Sequence, residues 1–200
     1  MKKLTLAALI IAATIANAET INPKSEVLFD KCVSIDVQAM YDHMSEHVEI
    51  LTTGIEWLDK ELLLNSGLFK NNQGKTIIPS SNKSFAELKK QLKQQYEKEF
   101  NDFSVYIDDK EVKQPKKYGT SGECDEGYSG HFETKFIKQN GDTVIFVTYD
   151  TNTGHNGHGG ETRREIHFDL KTKKRTHLQG WSKCWYGCNW TELSKEELGE

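Results

Sequence analysis

Two histidines stand among four glycines in the stretch TGHNGHGG, residues 153–160. Imidazole nitrogens bind zinc, copper and nickel, and the glycines would let His155 and His158 converge on one ion. Two ligands leave a metal site incomplete, so a third would have to come from elsewhere in the chain. The same stretch fits a wide connection between strands, whose glycines adopt positive φ angles, or a loop that contacts a partner. We therefore expect no cofactor, with a zinc or copper site at His155 and His158 as the alternative.

Serine, histidine and carboxylate side chains lie close in sequence at Ser129, His131 and Asp125. Such groups catalyse acyl transfer when the serine, its base and a third group converge in space. No G-x-S-x-G motif surrounds Ser129, although the members of a triad are often distant in sequence. We expect a non-enzymatic protein without catalytic residues. A secreted hydrolase with dispersed catalytic residues is the alternative.

The chain contains four cysteines, Cys32, Cys124, Cys184 and Cys188. In an oxidising compartment an even number of cysteines favours disulfides, here two bridges in one of three pairings. Cys184 and Cys188 could close a short loop, which would leave Cys32 to pair with Cys124, and we prefer this pairing. The three residues between Cys184 and Cys188 differ from the two-residue spacing of thioredoxin-type redox pairs.

Aromatic residues surround the last two cysteines in GWSKCWYGCNW, residues 180–190, which we call the aromatic clip. Exposed aromatic side chains held by a disulfide stack on sugar rings or fill the cleft of a protein partner. We favour the other interpretation, a plug that packs over an open end of the sheet and leaves at least one tryptophan outside. Trp185 and Tyr186 are our candidate binding residues in this segment.

The first residues of the chain have the layout of a secretory signal peptide. Lys2 and Lys3 precede an apolar run, and Ala16-Asn17-Ala18 is a small-x-small cleavage sequence. The apolar run is shorter than the roughly 20 residues of a membrane-spanning helix. We therefore predict a signal peptide at residues 1–18, and a single periplasmic α+β domain without a membrane span at residues 19–200.

The predicted mature chain is acidic. Residues 1–18 hold two of the 26 basic residues and none of the 30 acidic ones, so cleavage would leave a net charge of −6. Such a charge disfavours nucleic acid and anionic membranes as partners. It is compatible with a cationic protein partner.

Residue spacing predicts one strand and two helices in the N-terminal half. Apolar and polar residues alternate over residues 32–39, which predicts a strand. Helical spacing of apolar residues at positions 48, 51, 55, 58 and 62 predicts a first helix from Ser45, and His43 and His47 would share a face if they belonged to it. Ser84-Phe85-Ala86-Glu87 is a capping box, which predicts a second helix at about 84–101.

The C-terminal half has the pattern of a β-sheet. Alternating segments at 128–139 and 143–150 flank Asn140-Gly141, a strong hairpin signal. A further alternating segment covers 161–171, whereas residues 108–127 are polar and predict a long loop. The predicted fold is α+β: an antiparallel β-sheet with two amphipathic helices on one face, stabilised by disulfides.

The order of these segments resembles a known extracytoplasmic module. A helix ending LKKQLKQQYEKEF precedes a hairpin, a Gly/His loop after VTYDTNTG, and the strand REIHFDLKTKKRTHL. Over about residues 85–180 this resembles the domain of unknown function found in RsiV-type lysozyme-sensing anti-sigma factors and related secreted proteins. The residues that match the family in kind are Tyr149, Gly154, His155, Phe168, Asp169, Leu170 and Thr172. Lys173 stands where the family has a turn glycine, and the Gly/His loop is longer.

The resemblance implies a recognition domain, since the module serves chiefly in recognition. Together with the acidic charge, it leads us to expect a non-enzymatic periplasmic protein that binds or inhibits a cationic cell-wall-degrading enzyme such as lysozyme. In this hypothesis the Gly/His loop contacts the partner and the aromatic clip supports it. The candidate binding residues are Tyr149, Asn152, His155, Asn156, His158, Trp185 and Tyr186.

Overall fold

The computed structural model describes residues 20–37, 40–113, 115–124, 127–154 and 158–200. The predicted signal peptide and the candidates Asp125, His155 and Asn156 lie outside these residues. The elements are β1 (Lys24–Val37), β2 (Met40–Thr52), α1 (Glu56–Leu64), α2 (Phe85–Asp102), β3 (Val105–Ile107), β4 (Lys110–Val112), β5 (Lys116–Gly119), β6 (Tyr128–Asn140), β7 (Thr143–Thr153), β8 (Gly159–Asp169), β9 (Lys174–Cys184), β10 (Thr191–Glu192) and α3 (Lys195–Leu198).

Eight of the strands form one mixed sheet in the order β10-β9-β8-β7-β6-β2-β1-β5, and β3 and β4 form a separate hairpin. The α+β class is confirmed, with β-structure predominant. The sheet is not wholly antiparallel as predicted, because β2 and β6 pair in parallel from Met44–Tyr128 to Glu49–Glu133. A parallel pair requires a crossover connection, and the chain from α1 to β5 supplies it.

The predicted helix from Ser45 is wrong over residues 45–52, which belong to strand β2. Val48 and Ile50 alternate with polar residues and are buried, and β2 pairs with β1 along most of its length. The helix α1 begins only at Glu56, after Gly54 turns the chain with φ of +80°. The helical spacing at positions 48–62 therefore joined one face of a strand to one face of a helix. It follows that His43 and His47 lie on a strand.

The two longer helices pack against the sheet through two apolar clusters, and α1 contributes Leu63 and Leu64 to the cluster formed by α2. The buried leucines Leu58 and Leu62 of α1 cluster with residues of β7 and β8, including Phe146 and Phe168. The longer α2 packs on β1, β2 and β6 through five side chains: Phe85, Leu88, Leu92, Tyr96 and Phe100. Its predicted capping box is confirmed, with Ser84 Oγ accepting from the Glu87 amide and the Glu87 carboxylate accepting from the Ser84 amide.

Strand alternation and register divide the sheet into two sides. We call the side that carries Val48, Phe132, Phe146 and Phe168 the helix side, because these residues belong to the clusters formed with α1 and α2. The outer side carries the alternate residues, among which polar and ionisable types predominate.

The preferred disulfide pairing is confirmed, with bonds Cys32–Cys124 and Cys184–Cys188. The first joins β1 to the segment after β5, 92 residues further along the chain. The second closes a short loop after β9 and so fixes the aromatic clip to the end of that strand.

Turn chemistry explains several connections. The hairpin at Asn140-Gly141 is confirmed, with Gly141 at φ of +59° between β6 and β7. The predicted long loop at 108–127 is wrong in part, because it contains β4, β5 and a 3₁₀ turn at Ser121–Glu123. Asp108 and Asp109 both have positive φ, which produces the two-residue turn of the β3–β4 hairpin. Within the described residues, the helices lack the length and apolar character required to cross a membrane.

Candidate functional site

The Gly/His loop and the aromatic clip contact each other at one end of the sheet. The Trp185 indole Nε1 donates to the Asn152 carbonyl at 2.7 Å, and the Trp185 amide donates to the Gly159 carbonyl at 3.1 Å. The rings of His158 and Tyr186 meet edge to face, with centroids 6.2 Å apart. Four of the candidate binding residues, Asn152, His158, Trp185 and Tyr186, are therefore brought together.

Close backbone approach explains two of the glycines in this loop. Gly159 and Gly160 pair with Thr153 and Asn152 across the β7–β8 hairpin. A β-carbon at Gly159 would collide with the Asn152 carbonyl and the Trp185 indole, and one at Gly160 would lie 2.7 Å from the Lys183 carbonyl. Glycine at both positions thus allows β9 and the aromatic clip to pack against the loop.

The aromatic clip presents three of its four aromatic side chains to solvent. Tyr186 is 70% exposed, and Trp185 and Trp190 are 42% and 43% exposed. Gly187 turns the short disulfide loop with φ of +71°, and the Lys183 ammonium lies 4.6 Å from the Trp190 ring centroid. The clip therefore packs on the loop through the polar edge of Trp185 while leaving large aromatic surfaces accessible.

A groove of about 660 Å³ adjoins the loop on the helix side, between the ends of β2, β6 and β7 and the segment after α2. Its walls include the aromatic residues Phe103, Tyr106 and Tyr128, and its acidic residues are Asp42 and Glu46. Asn152, Gly154 and His158 form the edge nearest the loop. Among the described residues that line this groove, none is lysine or arginine.

Glu46 has the most perturbed acidic group of the groove. Burial raises its pKa, and the nearby charges of Asp150 and Glu99 add to this, so that the pKa is about 8. Gly130 lies opposite Glu46 on β6, and a β-carbon there would collide with the Glu46 carboxylate. Burial therefore favours the protonated form of this carboxyl group at neutral pH, and a nearby positive charge would favour the ionised form.

Asp150 lies behind the groove on β7, where burial raises its pKa while the charges of Lys70 and Arg164 lower it. Arg164 is itself buried, which lowers its pKa to about 10. Asp150 therefore links the carboxyl group of Glu46 in the groove with the positive charges of Lys70 and Arg164, which line a second cavity. Such clusters of perturbed groups are more frequent at functional sites than elsewhere.

Tyr149 is separated from the other candidate binding residues. It lies on the outer side of β7, opposite Glu133 and Arg163, with the Lys135 ammonium 5.0 Å from its ring centroid. Asn152, three residues further along the same strand, faces the other side. The structure therefore places Tyr149 on a different surface.

The histidines of the N-terminal half also lie on the outer side. His47 and His131 stack with ring centroids 5.1 Å apart, and His47 Nδ1 lies 3.3 Å from an Asp30 carboxylate oxygen. Ser129 is two residues from His131 on β6, while the Asp125 proposed to accompany them is outside the described residues. The hydrolase alternative stays a prediction.

Sequence reasoning missed two features. The groove residues Asp42 and Glu46 escaped notice because the strand β2 that carries them was not predicted, and residues 45–52 were assigned to a helix. The second feature is a group of possible metal ligands, Glu165, His167 and His177, which strand pairing brings together. The ionisable residues at positions 165 and 167 indicated two potential ligands on one side of a strand. Their third partner, His177, could be identified only from the register of β8 and β9.

Comparison with known proteins yields one similar structure. Neither protein-family models nor curated protein sequences match this chain. The fold is similar to that of a DUF3298 family protein from Pseudomonas aeruginosa PAO1, at 15% sequence identity and a TM-score of 0.45. The matched region covers 79% of this chain and 56% of the other, so the chain spans little more than half of that protein's length.

Proposed function

We propose that this protein is a non-enzymatic periplasmic recognition protein that binds and inhibits a cationic cell-wall-degrading enzyme of the lysozyme type. The observation that carries the proposal is the groove, which combines aromatic walls with acidic groups and has no lysine or arginine among its described lining residues. The groove opens beside the Gly/His loop and the exposed aromatic clip.

The groove has the chemistry to hold a lysine or arginine side chain. A cation gains energy over the face of a tyrosine or phenylalanine ring, and Phe103, Tyr106 and Tyr128 supply such rings. Asp42 and an ionised Glu46 would supply the opposing charge. Entry of the cation favours the ionised form of Glu46, so binding would release a proton near neutral pH.

The aromatic clip would contribute the apolar part of the interface. Tyrosine and tryptophan side chains dominate the energy of protein interfaces when they enter a pocket of the partner. Here Trp185 is held by two hydrogen bonds and the clip by a disulfide, so little flexibility is lost on binding. The net charge of −6 expected after cleavage at residue 18 would accelerate association with a cationic enzyme.

The periplasmic location is part of the proposal. Both disulfides are formed, which is typical of proteins in oxidising compartments. The pattern of residues 1–18 supports export.

Calorimetry with a purified cationic lysozyme tests the proposal. We expect one-to-one binding and a loss of lysozyme turnover on peptidoglycan as the protein is added. Tyr186→Ala and Tyr128→Ala should each weaken binding at least about tenfold, since each removes an exposed aromatic group of the site. Binding that tightens from pH 6 to pH 9 in the wild type, but not in Glu46→Gln, would support proton release.

Tyr149→Ala is the matched control, because it removes a tyrosine from the outer side of the sheet. It should bind as the wild type does. Absence of binding together with unchanged lysozyme turnover would refute the proposal. Equal losses of lysozyme affinity in Tyr149→Ala and Tyr128→Ala would show that the groove is not the binding site.

A further inference from the structure

Strands β8 and β9 bring three ionisable side chains together on the outer side of the sheet. His167 and His177 are directly paired across the two strands, and Glu165 is two residues before His167, so all three face the same side. The His167 Nε2 atom lies 2.8 Å from a Glu165 carboxylate oxygen, and the two imidazole centroids are 4.6 Å apart. One ligand atom from each residue lies within 4.8 Å of the other two.

Two imidazoles and one carboxylate are suitable ligands for a divalent transition metal. Around a tetrahedral zinc with metal–nitrogen bonds of about 2.1 Å, ligand atoms are about 3.4 Å apart. Because the observed ligand atoms lie within 4.8 Å of one another, side-chain adjustments of up to about 1.4 Å would bring them to this spacing. The three residues lie on paired strands, so the backbone already holds their β-carbons on one surface patch.

The surroundings leave this group available to an ion. All three residues are partly exposed, so solvent can complete the coordination sphere. The Arg163 guanidinium lies 3.6 Å from the second carboxylate oxygen of Glu165. The oxygen that faces His167 remains free of that contact. Gln179, the cross-strand neighbour of Glu165, donates instead to Glu192.

We propose that Glu165, His167 and His177 form a binding site for one divalent transition-metal ion such as zinc, with open positions occupied by water. The site lies on the side of the sheet opposite the groove. It uses neither His155 nor His158, and it is therefore independent of the proposed recognition function.

Zinc titration of the full chain, purified without a histidine tag and in a buffer that does not chelate, tests this site. We expect one zinc ion per chain by calorimetry and no binding of magnesium at the same concentration. Zinc should shift the imidazole NMR signals of His167 and His177. The double variant His167→Ala/His177→Ala should weaken zinc binding at least about tenfold, and circular dichroism would verify that it is folded.

Two double variants are matched controls. His47→Ala/His131→Ala removes the stacked histidine pair from the same side of the sheet, and His155→Ala/His158→Ala removes the histidines of the loop. Both should retain zinc binding. The proposal is overturned if zinc does not bind, or if binding survives in His167→Ala/His177→Ala. Loss in the loop variant alone would overturn it as well and would assign the metal to the loop.

Discussion

The two sides of strand β8 differ in burial and in chemistry. On the helix side, Arg164, Ile166 and Phe168 are buried beneath the helices and the C-terminal segment. On the outer side, Glu165 and His167 are partly exposed, and together with His177 they form the proposed metal site. Because successive residues of a strand face opposite sides, a shift of one residue in register would exchange these sets. A single stretch of sequence thus provides both stability and surface chemistry.

The helix side also changes character along the strands. Toward α1 it is apolar, with Phe146 and Phe168 in one cluster. Further along the strands, Glu46 lines the groove, Asp150 follows on β7, and Arg164 lines a separate cavity with Lys70 and Glu197. Arg164 remains buried because its guanidinium donates to the Leu198 and Glu197 carbonyls and to the Thr76 hydroxyl. The helix side is thus apolar beneath α1 and carries ionisable groups further along the strands.

The largest expected effect is the loss of stability when an aromatic side chain of the core is removed. Phe146 is fully buried between the sheet and α1, so Phe146→Ala removes its apolar contacts and leaves a cavity. The free energy of unfolding should fall by roughly 3–5 kcal/mol, measured by urea denaturation.

Tyr149→Ala, on the outer side of the same strand, is the control and should cost much less, about 1 kcal/mol or below. Equal losses in the two variants would show that the outer side is also part of the folding core.

A smaller effect is expected from Glu46→Gln, which replaces the perturbed carboxyl group with a neutral amide. The pKa of Glu46 is raised from 4.5 to about 8 in the folded state, so folding favours its protonated form. This contribution to stability is fully present below pH 4.5 and is lost as the pH rises through 8. Glu46→Gln should abolish that decline and be more stable than the wild type above pH 8 by roughly 1–3 kcal/mol.

Unfolding curves at a series of pH values measure the decline. Ser45→Ala, whose side chain is on the other side of the same strand, should retain the wild-type decline. A decline that persists in Glu46→Gln would assign it to other groups, such as Asp150 or Glu99.

The smallest expected effect on stability comes from relieving backbone strain at Lys173. Lys173 has φ of +55° in the turn between β8 and β9, a conformation that glycine adopts without strain. Lys173→Gly should raise the free energy of unfolding by about 0.5–1 kcal/mol without altering either side of the sheet. Thermal unfolding by calorimetry measures this change, and Lys171→Gly, outside that conformation, should be neutral or destabilising. A loss of stability in Lys173→Gly would indicate that the lysine side chain stabilises the fold by more than the backbone strain destabilises it.

Sequence reasoning succeeded where one local signal was sufficient. The capping box at Ser84 and Glu87 marked the start of α2, Asn140-Gly141 marked the hairpin, and the short spacing of Cys184 and Cys188 indicated the disulfide pairing. It failed over residues 45–52, because this segment forms a strand through its pairing with β1 and β6. The groove could not be found for the same reason, since β2 contributes Asp42 and Glu46 to it.

Residue order alone accounts for the hairpins, the capped helix and the side of β8 that each residue faces, because bonds between near neighbours and a two-residue period determine them. Only the tertiary structure could place β2 in parallel beside β6, bring Trp185 to Asn152 and set His177 opposite His167. These contacts join residues distant in sequence, and their energy depends on strand register and on burial that no single segment possesses. Both proposed sites are built from such contacts.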